Sequence, residues 1–248
     1  MLLEIKNIAK QYGKKTALQN ISLTLTPGVY GLLGPNGAGK STLMNIITEN
    51  LLPDEGEVCY NGTEIKKLGS GYRAVLGYAP QQQGLYDSFT GRQFLGYMGS
   101  LKNIPKKKLK EEINRTAAYV NLSDMLNRPI GAYSGGMKQR LLIAQAVMGT
   151  PELIIMDEPT AGLDPKERVR IREKIKELAE GKIILIATHV VSDIQSIAKE
   201  IILLKSGSIV AFDTVAGLCQ SFDNVYDLEE VYMQIFGGES ENASIDCL

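Results

Sequence analysis

The chain has no tryptophan, one histidine and three cysteines in 248 residues. Cys59, Cys219 and Cys247 are odd in number and far apart, which excludes a disulfide framework and C-x-x-C metal spacing, so reduced thiols in a cytosol are expected. An excess of one charge is also missing. With 27 basic and 28 acidic residues there is no global field to hold a nucleic acid. Long apolar runs are absent too: stretches such as 183–187 fall far short of the about 20 residues that span a bilayer. The N-terminus reaches Glu4 before any apolar signal segment builds. The sequence therefore predicts no nucleic-acid partner and no direct membrane insertion, and any membrane role has to be borrowed from another protein.

Apolar residues make up 44% of the chain and charged residues 22%, a balance that suits one large α/β domain of this length. The first 30 residues read as strands ended by Pro27-Gly28. A compact apolar strand, VYGLL, then runs into a glycine-rich loop and a helix over Lys40–Thr48. GEVCYNGTEI predicts a strand and an Asn61-Gly62 hairpin turn. Residues 91–149 change to helical periodicity. Within them five lysines between Lys102 and Lys110 read as the solvated face of a helix, or else as a contact for lipid head groups or a partner.

Alternation then resumes: strand LIIM, helix Lys166–Ala179, strand KIILIA, helix Val191–Ile197, strand EIILLK, a Ser206-Gly207 turn and SIVAFD. The amphipathic DLEEVYMQIF and a loose tail, GGESENASIDCL, close the chain. Apolar strands alternating with helices predict an α/β fold with a mainly parallel sheet covered on both faces. The expected division is a nucleotide-binding core from 1–90 and 150–220, an inserted helical subdomain at 91–149, and a C-terminal helix and tail at 221–248.

GPNGAGKST spans Gly34, Pro35, Asn36, Gly37, Ala38, Gly39, Lys40, Ser41 and Thr42, and matches G-x-x-x-x-G-K-[ST] between a predicted strand and a predicted helix. The glycines let successive backbone N–H groups turn inward around phosphate oxygens, and the new helix adds its positive end. Lys40 can bridge two phosphates, and the Ser41 hydroxyl can complete a Mg²⁺ sphere. LIIMDEP is an apolar strand ending in two carboxylates whose side chains alternate, so the two need different jobs. Asp157 is placed to hold Mg²⁺ through its water, and Glu158 to orient and deprotonate the water attacking a γ-phosphate. His189, at the end of a strand, reads by itself as a solvated or hydrogen-bonded structural residue before a chemical one.

Taken together these segments resemble the ATP-binding cassette family, the nucleotide-binding subunits of ABC transporters, over nearly the whole chain. YSGGMKQR at Tyr133–Arg140 looks like the family's signature sequence, GYAPQ at Gly77–Gln81 its Q-loop, AGLD at Ala161–Asp164 its D-loop, and Thr188-His189 its histidine switch. The register of GYAP favours Gln81 over Gln82. The resemblance implies a phosphate-loop NTPase sheet with an N-terminal antiparallel β portion. It also implies Tyr12 stacking on adenine and two such subunits facing head to tail around two ATP molecules. Ser134, Gly135 and Gly136 would approach the γ-phosphate bound by the other subunit, and His189 would bond the γ-phosphate beside the water of Glu158. Gln81 would link the Mg²⁺ site to a permease. Two positions depart from the family pattern: Tyr133 replaces the usual leucine, and Met137 replaces a glutamine and cannot donate a hydrogen bond.

The function implied is an ATPase with ATP and Mg²⁺ as ligands. It would power a separate integral-membrane permease from the cytoplasmic face of the membrane, for export of a drug, antibiotic or peptide. Its second ATPase subunit would be an identical copy or a close paralogue. The alternatives are an importer ATPase and a soluble, nucleotide-gated interaction module. A GTPase is disfavoured by the lack of an N-K-x-D motif.

Overall fold

The computed structural model describes residues 1–81, 84–222 and 225–237. Gln82, Cys247 and the expected tail from residue 238 onward lie outside the described residues. An antiparallel sheet is built from β1 (Leu3–Tyr12), β2 (Lys15–Leu25), β4 (Glu55–Tyr60) and β5 (Thr63–Glu64), in the order β2-β1-β4-β5. The Asn61-Gly62 turn joins the last two, as their composition predicts.

The second sheet contains β3 (Gly28–Leu33), β6 (Leu76–Ala79), β7 (Leu153–Asp157), β8 (Ile183–Thr188), β9 (Glu200–Lys205) and β10 (Ser208–Asp213). Its order is β10-β9-β3-β8-β7-β6, parallel throughout except for the β9–β10 edge pair. Both faces of its central strands are covered, and successive residues go to different cores. Ile184 and Ile186 pack with the helical segment on one face. Ile183, Leu185 and Ala187 pack with α1 (Lys40–Ile47) and the antiparallel sheet on the other. The two-residue period of a strand produces this division directly.

Between β6 and β7 the chain leaves the sheet. It forms α4 (Gly91–Leu101), α5 (Lys106–Tyr119) and α6 (Gly135–Ala146). Thr90 and Gln93 start α4 with a reciprocal capping box, and the Ser134 hydroxyl accepts from the Met137 N–H to start α6. After β7, α7 (Pro165–Leu178) begins with Asp164 as cap and proline at its first position.

Several short elements depart from the sequence reading. Residues 65–75 form α2 (Ile65–Leu68) and α3 (Ser70–Val75), the first three residues of GYAP lie in strand β6, and α8 (Val191–Ile194) stops short of Ile197. A further helix, α9 (Val215–Gln220), precedes α10 (Leu228–Phe236) and is capped by Thr214.

The lysine run divides. Lys106, Lys107, Lys108 and Lys110 are exposed, as a solvated helix face requires. Lys102 is not part of that face, because its ammonium donates to the carbonyls of Leu76 (3.2 Å) and Met148 (2.8 Å). It thus ties the start of β6 to the chain just after α6. Burial lowers its pKa to about 8, against the opposing pull of Glu112.

Between pH 8 and the ordinary lysine value the unfolded chain binds more protons at this position than the folded one, so the contribution of Lys102 to stability rises with pH there. The stability of the native chain minus that of Lys102→Met should therefore shift in favour of the native chain as pH is raised from 8 to 10, by denaturant unfolding. A difference flat with pH would contradict the burial.

Candidate functional site

The phosphate-loop segment Gly34–Thr42 runs from the end of β3 into the first turn of α1, at the carboxyl edge of the parallel strands, where open α/β sheets bind ligands. Its path is fixed by close packing. A Cβ on Gly34 would collide with the Leu204 carbonyl, and Gly39, with φ of 110°, would bring one within 2.5 Å of the Ala17 carbonyl. Gly37 faces open space. The loop borders a cleft of about 210 Å³ shared with Tyr12, Gln81, Asp157 and Glu158. Tyr12 is 51% exposed, with the Lys10 ammonium 6.0 Å from its ring centre. Lys15 and Ala17 also line the cleft, and no motif in the sequence marked them.

Lys40 is only 7% exposed, and its ammonium donates to the carbonyls of Gly34 (2.6 Å) and Pro35 (3.1 Å). Burial lowers its pKa, opposed by the charges of Glu158 and Asp157. The Ser41 hydroxyl donates to Asp157 Oδ2 at 3.2 Å, joining residues 116 apart in the sequence. The Asp157 pKa is raised, first by desolvation and then by Glu158, while Ser41 and Lys40 act in the opposite direction. A buried carboxylate and a hydroxyl at hydrogen-bond distance form a hard-oxygen donor pair that fits a magnesium ion. Among the described residues no group of three His, Cys, Asp or Glu side chains could hold a metal unaided. Such a donor pair suits an ion that also takes phosphate oxygens and water.

Asp157 ends β7, and Glu158 steps out of the strand with φ of 48°, in the left-handed region. That step turns the two adjacent carboxylates to different partners. Glu158 Oε1 accepts from the His189 backbone N–H (3.0 Å) and lies 2.6 Å from His189 Nδ1, while Oε2 accepts from the Thr188 hydroxyl at 3.0 Å. The Val190 N–H donates to that same hydroxyl and fixes its direction. The solitary imidazole therefore contacts the second carboxylate. A further contact escaped the sequence reading: Gln139 Nε2 donates to the Glu158 backbone carbonyl at 3.1 Å.

Gln81 borders both this cleft and a larger open one of about 790 Å³ that runs from Ser41 and Asp157 to Arg73, Met98 and Lys102. Ser134, Gly135 and Gly136 do not line the phosphate cleft. They form the amino end of α6, where a Cβ on Gly135 would meet nothing within 4 Å. The two departures from the family pattern have a packing basis. Tyr133 is buried and donates its hydroxyl to the Met125 carbonyl at 2.7 Å, and Met137 packs against the apolar core of the helical segment.

Residues 18–161 match the family model described as ABC transporter. The chain is 36% identical over 220 residues to the linearmycin resistance ATP-binding protein LnrL of Bacillus subtilis (strain 168), covering 88% of this chain and 71% of that protein. It is 32% identical over 241 residues to the Nod factor export ATP-binding protein I of Rhizobium sp. (strain N33), covering 96% and 78%. Among solved structures it resembles the dimeric post-hydrolysis state of the ATP-binding cassette MJ0796 bound to ADP and Pi. That match has a TM-score of 0.79 at 27% identity and covers 86% of this chain and 98% of the other.

Gly91 leaves no room for a Cβ beside the Tyr133 hydroxyl. Gly91→Ala should destabilise the chain by about 1–3 kcal/mol in denaturant unfolding. In a Tyr133→Phe background, which lacks that hydroxyl, the same change should cost little. Equal costs in both backgrounds would show that the contact is not limiting.

Proposed function

The chain belongs to the ABC transporter family as an ATP-binding, ATP-hydrolysing subunit, and from that premise we propose that it drives export through a separate membrane permease, with the residues of the phosphate cleft carrying out binding and hydrolysis. The observation that carries the assignment is the convergence of Lys40, Ser41, Asp157 and Glu158 on one cleft from two distant segments.

ATP is the substrate. The backbone of Gly34–Thr42 and the ammonium of Lys40 hold its phosphates, and Tyr12 stacks on its base. Lys40 points its protons at two loop carbonyls, so its reach to phosphate exchanges one set of oxygens for another with little motion. Ser41, Asp157 and Gln81 would hold Mg²⁺, which when bound neutralises charge on the phosphates. Glu158 orients the attacking water and takes its proton, and His189, whose Nδ1 lies 2.6 Å from Glu158 Oε1, helps hold that water beside the terminal phosphate.

A single chain does not complete this site. Ser134, Gly135 and Gly136 lie outside its own cleft, and the open space at Gly135 suits close approach to a nucleotide held by a second subunit, identical or closely related. The dimeric form of the MJ0796 cassette supports this pairing. No helix among the described residues is long and apolar enough to cross a membrane. In this reading the crossing is made by an integral-membrane partner, with the subunit held against it on the cytoplasmic face. The larger cleft beside Gln81 and the exposed Tyr86, Tyr97 and Leu101 offer that partner a surface. Outward transport of a drug, antibiotic or peptide is supported by the resistance and export roles in the names of two relatives.

Glu158→Gln should lower steady-state hydrolysis by roughly 10²–10⁴-fold while nucleotide binding persists. Unchanged turnover in a phosphate-release assay would remove Glu158 from its role. Lys40→Ala should weaken binding itself, read by titration with a fluorescent ATP analogue, and an unaltered affinity would contradict the phosphate contact.

A further inference from the structure

The helix that opens at Ser134 reaches the catalytic carboxylate's own backbone within its second turn. Gln139 is 6% exposed, and its amide donates to the Glu158 carbonyl at 3.1 Å. That carbonyl also accepts the Ala161 N–H at 3.1 Å. The bond does not touch the carboxylate. It acts on a residue whose φ of 48° lies in a sparsely populated region, held only where the surroundings over-determine it. The other restraints on Glu158 come from the β8 segment: the Ala187 carbonyl, which accepts its N–H, and Thr188 and His189 on its side chain. Gln139 is the restraint that comes from α6.

We propose that Gln139 is a positioning residue for hydrolysis: it fixes the backbone of Glu158, and with it the aim of the carboxylate, in register with the seat of α6. The proposal rests on the reading of Glu158 as the general base. A rigid helix carries the Ser134 end and Gln139 together, so a shift of α6 that engages or releases the facing nucleotide also moves the donor on which the strained residue leans. Gln139 is not among the residues that line the cleft with the phosphate loop and Tyr12. Loss of the donor therefore acts on the chemical step.

Gln139→Met keeps length and helix preference while removing the N–H, and the Glu158 carbonyl retains Ala161. Its kcat should fall by about 10–100-fold, on the scale of a misplacement of about 1 Å. KM for ATP and fluorescent-nucleotide affinity should stay within about twofold of the native chain by the same argument. Gln139→Lys, which restores a donor of similar reach, should recover part of that loss. In a Glu158→Gln background, Gln139→Met should slow single-turnover hydrolysis no further, because the group it positions is already disabled.

Native kcat in Gln139→Met would overturn the proposal, as would a further multiplicative loss in the Glu158→Gln background. Parallel loss of folding and turnover in both the Met and Lys variants would make Gln139 a core residue only and equally overturn it. If Glu158→Gln alone hydrolyses at the native rate, the base assignment fails first. If that variant is inactive and Gln139→Met is not, only the positioning role fails.

Discussion

Parallel pairing of β3 with β8, and of β8 with β7, is the constraint from which the site follows. Parallel strands end at the same edge, so the loops that leave them have to emerge side by side. The phosphate loop leaves β3, the two carboxylates leave β7, and Thr188-His189 leaves β8, and all three meet without any long side chain having to bridge them. The apolar runs in these strands secure the arrangement because they are buried on both faces and a slip of one residue would exchange the two cores.

What could be read from the sequence had a local cause. The glycine spacing before Lys40 and Ser41 marks a strand-to-helix junction, where backbone N–H groups can turn toward one point, and a paired Asp-Glu after four apolar residues marks a strand end. Elements of four to six residues were harder. α2, α3 and α9 are too short to show a period, and β6 hides in a segment that reads as a loop because Gly77 and Pro80 punctuate it. Gly77 has a packing reason: a Cβ there would run into the Ala146 carbonyl at the end of α6.

The contacts that sequence could not supply are those between distant segments. Gln139 bonds a residue 19 positions away, and Lys102 joins carbonyls 26 and 46 positions away. Lys102 stood in a row of lysines whose composition suggests solvent, and only the tertiary fold separates it from its neighbours. Tyr133 is similar. Its departure from leucine is legible as a departure, but the compensating small residue, Gly91, lies far upstream in another helix. The imidazole is the intermediate case: its position at a strand end was visible, while its partner, Glu158, follows the end of a different strand.

The partners of Glu158 also limit what else it can hold. A carboxylate offers about four lone-pair sites, and here Oε1 meets the amide and ring nitrogens of His189 while Oε2 meets the Thr188 hydroxyl. With the ring N–H donating, one lone-pair direction remains for the water that Glu158 is proposed to orient. If Glu158 is the proposed base, its contacts with Thr188 and His189 restrict the directions from which water can be held, without a tightly shaped wall.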